Sequence, residues 1–199
     1  MASTSRIRSR KNFLLKRVVR KVAMAANSVV GRWPYGHQQI RFGRDDITYQ
    51  KAAEFLDIED SLVADWGCGT TYFRRFIRNA RYVGIDGSAS PWCNVVADLR
   101  TYRGYSDGIL LRHVLEHNVD WKRILRNALR HAPRVVVVIF TPFRRTTRVI
   151  DMTWGVVPTL SFKKADLCAA FTRPFLEEGP LATRTQYGIE HIFYVGRTT

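Results

Sequence analysis

The chain has 199 residues, and its 32 Lys and Arg against 17 Asp and Glu give a formal net charge of +15. This length suits one domain with a sizeable core plus an arm. No apolar run of about 18 residues is present that could span a membrane. The three cysteines, Cys68, Cys93 and Cys168, show no C-x-x-C spacing. That pattern argues against a disulfide framework or a zinc ribbon and predicts a reducing, cytoplasmic compartment.

The positive charge is concentrated at the N-terminal end. Residues 1–44 contain 11 of the 32 Lys and Arg and no Asp or Glu, whereas residues 45–199 contain 21 basic and 17 acidic residues. We therefore divide the chain into a basic arm or linker, 1–44, and a domain, 45–199. The arm is expected to be partly disordered or an amphipathic helix.

Residues 11–27 of the arm fit an amphipathic helix with apolar and basic sides. Four interpretations of this segment remain open. It can lie peripherally on an anionic membrane surface, pack by its apolar side onto the domain, serve as a mitochondrial transit peptide, or hold nucleic acid phosphates without sequence preference.

The central feature of the domain is a strand that ends in a glycine turn. Residues 62–64 are a short apolar run that stops at Asp65, and Gly67 and Gly69 follow. A helix is predicted over residues 72–79. A strand that leads through a tight glycine turn into a helix brings bare backbone close to a ligand. This arrangement favours a nucleoside site.

An acidic residue at a second strand end supports that interpretation. Asp86 closes the apolar run 82–85 and stands 21 residues after Asp65. An acid at about this distance suits the two hydroxyls of a ribose.

The segment Asp65-Trp66-Gly67-Cys68-Gly69-Thr70 resembles the first motif of the class I S-adenosylmethionine-dependent methyltransferases, of the type 11-like kind. Residues 109–117 resemble the fourth strand of that family and the loop after it, and the likeness extends over about residues 48–197. Thr71 stands where the family usually has a third glycine.

The resemblance implies S-adenosylmethionine as the cofactor and assigns residues to it. In this assignment Asp86 binds the ribose and His113 lies near the sulfonium. The other residues implied in cofactor binding are Asp65, Gly67, Cys68 and Gly69 on the amino-acid side, and Gly87, Asp98 and Leu99 on the adenine side.

The segment after the fourth strand contains His113-Val114-Leu115-Glu116-His117. His-x-x-Glu-His is also the signature of inverted zinc hydrolases, in which both histidines lie on one helical face. The preceding strand places the histidines in a strand-end loop instead, so no metal site is expected. His117 and Glu116 are the candidates to face the acceptor, with His117 as the base.

Alternation of strands and helices predicts an α/β fold: a Rossmann-like, seven-stranded, mostly parallel sheet with helices on both faces and a C-terminal antiparallel hairpin. After the first two, strands are expected at 94–97, 108–111 and 134–140. Helices are expected from Asp46, as the cap, to about residue 56, at 121–131, and from Ser161, as a possible cap. The hairpin is expected to pair 181–187 with 189–196 across Gly188.

The sequence thus predicts a methyltransferase that acts on a small-molecule, lipid-linked or glycan-linked acceptor through O- or N-methylation. The basic loop 143–148, just past the fifth strand, is a candidate clamp for a phosphate or carboxylate of the acceptor. An RNA methyltransferase that uses the basic arm, and a non-catalytic nucleotide-binding module, are the alternatives.

Overall fold

The computed structural model describes residues 46–153 and 157–196. The predictions made for the arm, including the segment 11–27, lie outside these residues. No helix within the described ranges is long and apolar enough to cross a membrane.

The strands are β1 (Leu62–Trp66), β2 (Arg81–Asp86), β3 (Val95–Val96), β4 (Gly108–Arg112), β5 (Arg134–Ile139), β6 (Arg148–Thr153), β7 (Val157–Ser161), β8 (Phe175–Ala182) and β9 (Ile189–Val195). The α-helices are α1 (Ile47–Leu56), α2 (Trp121–His131) and α3 (Lys164–Cys168). Two 3-10 helices span Tyr72–Phe76 and Leu115–His117.

The main sheet has the order β3-β2-β1-β4-β5-β9-β8. Strands β1 to β5 run parallel, and β9 pairs antiparallel with both β5 and β8. The predicted seven-stranded sheet and its C-terminal hairpin are therefore confirmed. The strand order reverses beside β1, between β2 and β4, and ligands bind outside the carboxyl ends of strands at such a point.

Apolar residues along the central strands alternate between two cores, one on each face of the sheet. In β5, Val135 and Val137 pack with α2, whereas Val136 and Val138 pack with α1. All four valines are fully buried. A strand covered on both faces needs a nearly continuous apolar sequence, which explains the valine run.

The helix predicted over 72–79 is instead a 3-10 helix that ends at Phe76. The carboxylate of Asp57 accepts hydrogen bonds from the backbone N–H groups of Arg78, Asn79 and Ala80 at 2.8, 2.9 and 2.7 Å. Because these amides bond to a distant side chain, they are not available to continue a helix.

Two predicted helix caps are not realised. The side chain of Asp46 does not cap α1, since its carboxylate accepts a hydrogen bond from the hydroxyl of Tyr72 at 2.9 Å. Ser161 is the last residue of β7, and its hydroxyl donates to the carbonyl of Pro142 at 2.5 Å. The helix there begins three residues later, at Lys164.

Strands β6 and β7 form a separate antiparallel pair that the sequence analysis did not anticipate. The β-branched residues Val149, Ile150 and Val157 were the signal for it. In the C-terminal hairpin, β9 lies close to its predicted position, but β8 begins at Phe175 and a register shift separates Glu178 from Leu181. The sequence Glu-Glu-Gly-Pro at this irregularity is typical of a turn, which hid the strand.

Candidate functional site

The glycine turn is tied to the end of the neighbouring strand. The N–H groups of Gly67 and Cys68 both donate to the carbonyl of Ile85, at 2.7 and 3.2 Å. Gly67 and Gly69 have φ angles of +78° and +51°, a region that side chains rarely adopt. The turn therefore has a fixed shape directly beside the carboxyl end of β2.

The two glycines serve different purposes. A Cβ atom on Gly67 would lie 2.5 Å from Cγ2 of Val114, whereas a Cβ on Gly69 would meet no atom of the described chain within 4 Å. Gly67 is thus required by packing against the loop after β4. Gly69 borders open space, where a ligand can approach the bare backbone.

Asp86 faces this turn from the end of β2. Its carboxylate accepts from the N–H of Gly69 at 3.0 Å and from the N–H of Ser88 at 2.9 Å. Burial raises the pKa of Asp86, while the amides of Gly69, Ser88 and Gly87 oppose the rise. A carboxylate has about four lone-pair directions, so it keeps acceptor capacity for the hydroxyls of a ligand.

Asp65, at the carboxyl end of β1, is almost fully buried and accepts a hydrogen bond from the hydroxyl of Tyr82 at 2.8 Å. Burial raises its pKa to about 7, although the Tyr82 hydrogen bond works in the opposite direction. The nearby charge of Asp86 adds to the rise. Asp65 is therefore anchored to β2, and its role toward the cofactor stays a prediction.

The residues predicted near adenine are differently placed. Both carboxylate oxygens of Asp98 accept from the guanidinium of Arg100, at 2.9 and 2.8 Å, in an ion pair that is largely exposed. An adenine contact would have to displace this partner. Leu99 lies in the core, and a Cβ on Gly87 would come no closer than 3.9 Å to another residue, at Ala97. Cys68 is buried, and burial raises the pKa of its thiol.

His113 follows β4 and belongs to a buried polar network. Its φ is +57°, and its Nε2 lies 2.5 Å from Oε1 of Glu190. Burial and the charge of Arg112 lower the pKa of His113 to about 4. The imidazole is therefore neutral at pH 7 and donates its Nε2–H to the carboxylate.

Glu190, which is completely buried in β9, joins three parts of the chain through this network. Arg112 donates to its Oε1 at 2.6 Å, and the hydroxyl of Thr48 in α1 donates to its Oε2 at 2.6 Å. Burial alone would raise the pKa of Glu190, but the donors from His113, Arg112 and Thr48 hold it below its ordinary value. The carboxylate is thus ionised, with Arg112 as its counter-charge.

Tyr49 in α1 also belongs to this network. Its hydroxyl accepts from Arg112 at 3.2 Å, and the guanidinium lies 4.3 Å from the centroid of its ring. The ring stacks on Phe73 and Phe76. These contacts place Tyr49 in the packing between α1 and the 3-10 helix that follows the glycine turn.

His117 has a defined tautomer. Its Nδ1 lies 3.0 Å from the carbonyl oxygen of Pro158 in β7. Because a carbonyl only accepts, Nδ1 carries the proton, and Nε2 of the neutral ring is left as an acceptor. Burial lowers the pKa of His117, and the hydrogen bond to Pro158 partly offsets this.

Glu116, predicted to face the acceptor, is buried beside the end of β5. Its side chain is fully buried, and Oε1 accepts from the backbone N–H of Phe140 at 2.7 Å. Its Oε2 has no hydrogen-bond partner among the residues that the structure describes. Burial raises the pKa of Glu116 to about 8. Its position suits support of the end of β5 rather than catalysis.

Phe140 connects the two imidazoles with a further ring. Its centroid lies 4.6 Å from that of His113, 5.6 Å from that of His117 and 5.9 Å from that of Tyr187. Sequence reasoning missed Phe140, Tyr187 and Glu190. Glu190 had one usable signal: it is the only acid in a mostly apolar strand, and a buried charge needs a partner.

The zinc-hydrolase geometry is not formed. His113 lies at the end of β4 and His117 ends the 3-10 helix Leu115–His117, so the two do not share the face of an α-helix. Within the ranges 46–153 and 157–196, no group of three or more His, Cys, Asp and Glu could hold a metal ion.

No protein-family model matches the chain, and no curated protein matches its sequence. Solved structures do match its fold. One is the Burkholderia thailandensis 1,6-didemethyltoxoflavin-N1-methyltransferase with bound S-adenosylhomocysteine, with a TM-score of 0.57 and 17% identity over 78% of this chain and 80% of that one.

A Mesorhizobium loti S-adenosylmethionine-dependent methyltransferase matches with a TM-score of 0.55 and 14% identity over 78% of this chain and 99% of that one. A Rhodobacter sphaeroides protein named as a putative Zn-dependent alcohol dehydrogenase gives 0.59 and 11% identity over 80% and 92%. The chain therefore has the Rossmann-like fold of the class I methyltransferases.

Proposed function

We propose that this protein is an S-adenosylmethionine-dependent methyltransferase. The observation that carries the proposal is the carboxylate of Asp86, which lies against the N–H of Gly69 beside open space. An acceptor for sugar hydroxyls and an uncovered peptide backbone are thus combined at the carboxyl edge of a parallel sheet.

The residues present fit the cofactor. Asp86 would accept from the ribose hydroxyls, and the backbone at Gly69 would lie along the amino-acid part. When bound, the cofactor supplies a methyl group already activated by its positive sulfonium. His113 is neutral because burial and Arg112 lower its pKa to about 4, so its imidazole does not repel that positive charge.

On the acceptor side, His117 is the proposed base. Its Nε2 can take the proton from a hydroxyl or amine as the acceptor oxygen or nitrogen forms its bond to the methyl carbon. The bound cofactor would supply the methyl group and would keep the electron pair of the S–CH3 bond on its sulfur. The acceptor we propose is a small molecule, free or linked to a lipid or glycan. Beyond removal of its proton, methyl transfer mainly requires in-line placement of the acceptor.

Calorimetry with S-adenosylhomocysteine tests the cofactor site. Asp86→Ala should weaken binding by about 1.5–3 kcal/mol, the loss expected for hydrogen bonds to a charged group. Glu59→Ala is a matched control, because Glu59 is an exposed carboxylate in the turn before β1, at the opposite edge of the sheet. Equal affinity in wild type and Asp86→Ala would contradict the proposed ribose contact.

Turnover is tested by incubating the protein and a cell extract with methyl-labelled S-adenosylmethionine. We expect label in the small-molecule, lipid or glycan fractions, and much less label when Asp86→Ala replaces the wild type at a cofactor concentration below saturation. Cofactor binding without label in any fraction would indicate a non-catalytic module. Label confined to RNA would instead identify an RNA methyltransferase.

A further inference from the structure

The basic loop, residues 143–148, follows β5 at the same edge of the sheet as the proposed site. Its three arginines, Arg144, Arg145 and Arg148, are exposed. None of them forms an ion pair with an acidic side chain in the part of the chain that the structure describes. Three uncompensated guanidinium groups therefore lie within five residues of one another.

Hydrogen bonds hold the backbone of this loop in one conformation. The N–H of Arg144 donates to the carbonyl of Phe162 at 2.8 Å. The hydroxyl of Thr147 donates to the carboxylate of Asp166 at 2.7 Å and accepts from the N–H of Lys163 at 3.0 Å. The arginines are thus carried by an ordered backbone, which lowers the entropic cost of binding.

Tyr187 connects the loop to the proposed acceptor side. Its ring packs against Phe140, which contacts both imidazoles. Burial and the charge of Asp151 raise the pKa of Tyr187, and the charge of Arg144 works against them. Arg144 and Asp151 therefore both act on the region of the Tyr187 hydroxyl.

We infer that the basic loop binds a phosphate or pyrophosphate ester carried by the acceptor, which narrows the substrate class of the proposed methyltransferase and rests on that function. Planar guanidinium groups pair bidentately with phosphate oxygens. Two carboxylates lie near the three arginines: Asp151 acts on the same region, and Asp166 accepts from Thr147. The exposed Lys163, whose N–H donates to the same Thr147 hydroxyl, adds a fourth positive charge, so two formal positive charges are in excess. A single carboxylate on the acceptor would balance only one of them.

The test measures the affinity for inorganic pyrophosphate by calorimetric titration of the full chain, which is first saturated with S-adenosylhomocysteine. The variant Arg144→Gln/Arg145→Gln/Arg148→Gln should bind pyrophosphate about 10-fold or more weakly than wild type, as expected for lost charge-assisted hydrogen bonds. The control, Lys122→Gln/Arg126→Gln/Arg130→Gln, removes three exposed charges from the outer face of α2. It should bind as wild type does.

Because the arm with its 11 basic residues is present in every variant, its contribution cancels in this comparison. Equal weakening by both triple variants, or no weakening by the loop variant, would overturn the inference. If the wild type binds S-adenosylhomocysteine normally in that experiment, the proposed function survives while the phosphate site does not.

A second measurement identifies the source of the phosphate. Wild type and the α2 control should sediment with phosphatidylglycerol vesicles, and the loop variant should sediment less. If pyrophosphate also displaces the bound protein from the vesicles, the result supports a lipid-linked ester. Pyrophosphate binding without this vesicle difference supports a soluble ester.

Discussion

Thr71 has the left-handed conformation of a glycine although it carries a branched side chain. Its φ and ψ are 57° and 31°, and it stands where the motif that this segment resembles usually has a glycine. For a β-branched residue this conformation costs about 1–2 kcal/mol. Thr71 precedes the 3-10 helix and donates its N–H to the carbonyl of Cys68 at 2.7 Å. This hydrogen bond of the turn keeps Thr71 in the strained conformation.

Thr71→Gly should therefore raise the free energy of unfolding by about 0.5–1 kcal/mol, after allowance for the greater freedom of glycine in the unfolded chain. Urea denaturation measures the change. Thr71→Ala is the control, since it keeps a Cβ in the strained conformation. A Thr71→Gly protein that is less stable than Thr71→Ala would show that the backbone is not strained here.

His117→Ala should lower kcat by about 100-fold or more if the acceptor atom is a hydroxyl, because the base that removes its proton is lost. The affinity for S-adenosylhomocysteine should stay unchanged. In the wild type, burial lowers the pKa of His117, so the base stays unprotonated at neutral pH. The rate should then fall only when the pH drops below the ordinary pKa of histidine, about 6.5.

His131→Ala is the matched control for this variant, because His131 ends α2 at the opposite edge of the sheet, just before β5. A His117→Ala enzyme with wild-type kcat would exclude the imidazole as the base. A parallel loss in both variants would indicate damage to the fold.

At the scale of the elements, Glu116 connects the 3-10 helix Leu115–His117 to the end of β5. Burial raises its pKa from an ordinary value of 4.5 to about 8. The folded protein therefore keeps a proton that the unfolded chain releases between about pH 4.5 and 8. Stability should consequently fall as the pH rises through this interval.

Glu116→Gln removes the titrating group while keeping an oxygen that can accept from Phe140. Its free energy of unfolding should exceed that of wild type by about 4–5 kcal/mol at pH 9 and by about 1 kcal/mol at pH 5, given the rise in pKa from 4.5 to about 8 and about 1.4 kcal/mol per pKa unit. Urea denaturation of wild type and Glu116→Gln at both pH values measures this difference. The same difference at both would mean that Glu116 does not titrate in this range.

Elements were predictable where local pattern and tertiary environment agree. The valine run of β5 and the amphipathic sequence of α2 gave bounds close to those observed. The early end of the helix after the glycine turn, at Phe76, was not predictable. Asp57 accepts hydrogen bonds from the amides of Asn79 and Ala80, although it lies more than 20 residues before them in the chain. The start of β8 was hidden for a related reason: Gly179 and Pro180 interrupt the strand, and pairing of the residues on both sides of them with β9 keeps it continuous.

At the scale of the whole molecule, strand order determines which part of the site the sequence reveals. Asp65, Gly67, Gly69 and Asp86 follow strands that are adjacent in both chain and sheet, so their proximity could be predicted. The proposed acceptor side combines the loop after β4, the end of β5 and the turn before β9. Contacts such as that of Phe140 with Tyr187 depend on packing between these distant segments, and no local pattern encodes them.

Glu190 meets the groups that neutralise it only after β9 has inserted between β5 and β8. Thr48 lies 142 positions earlier in the chain, and Arg112 lies 78 positions earlier. During synthesis, the N-terminal strands emerge from the ribosome well before this carboxylate does. A nascent polypeptide therefore cannot hold His113 through Glu190 until β9 has left the exit tunnel.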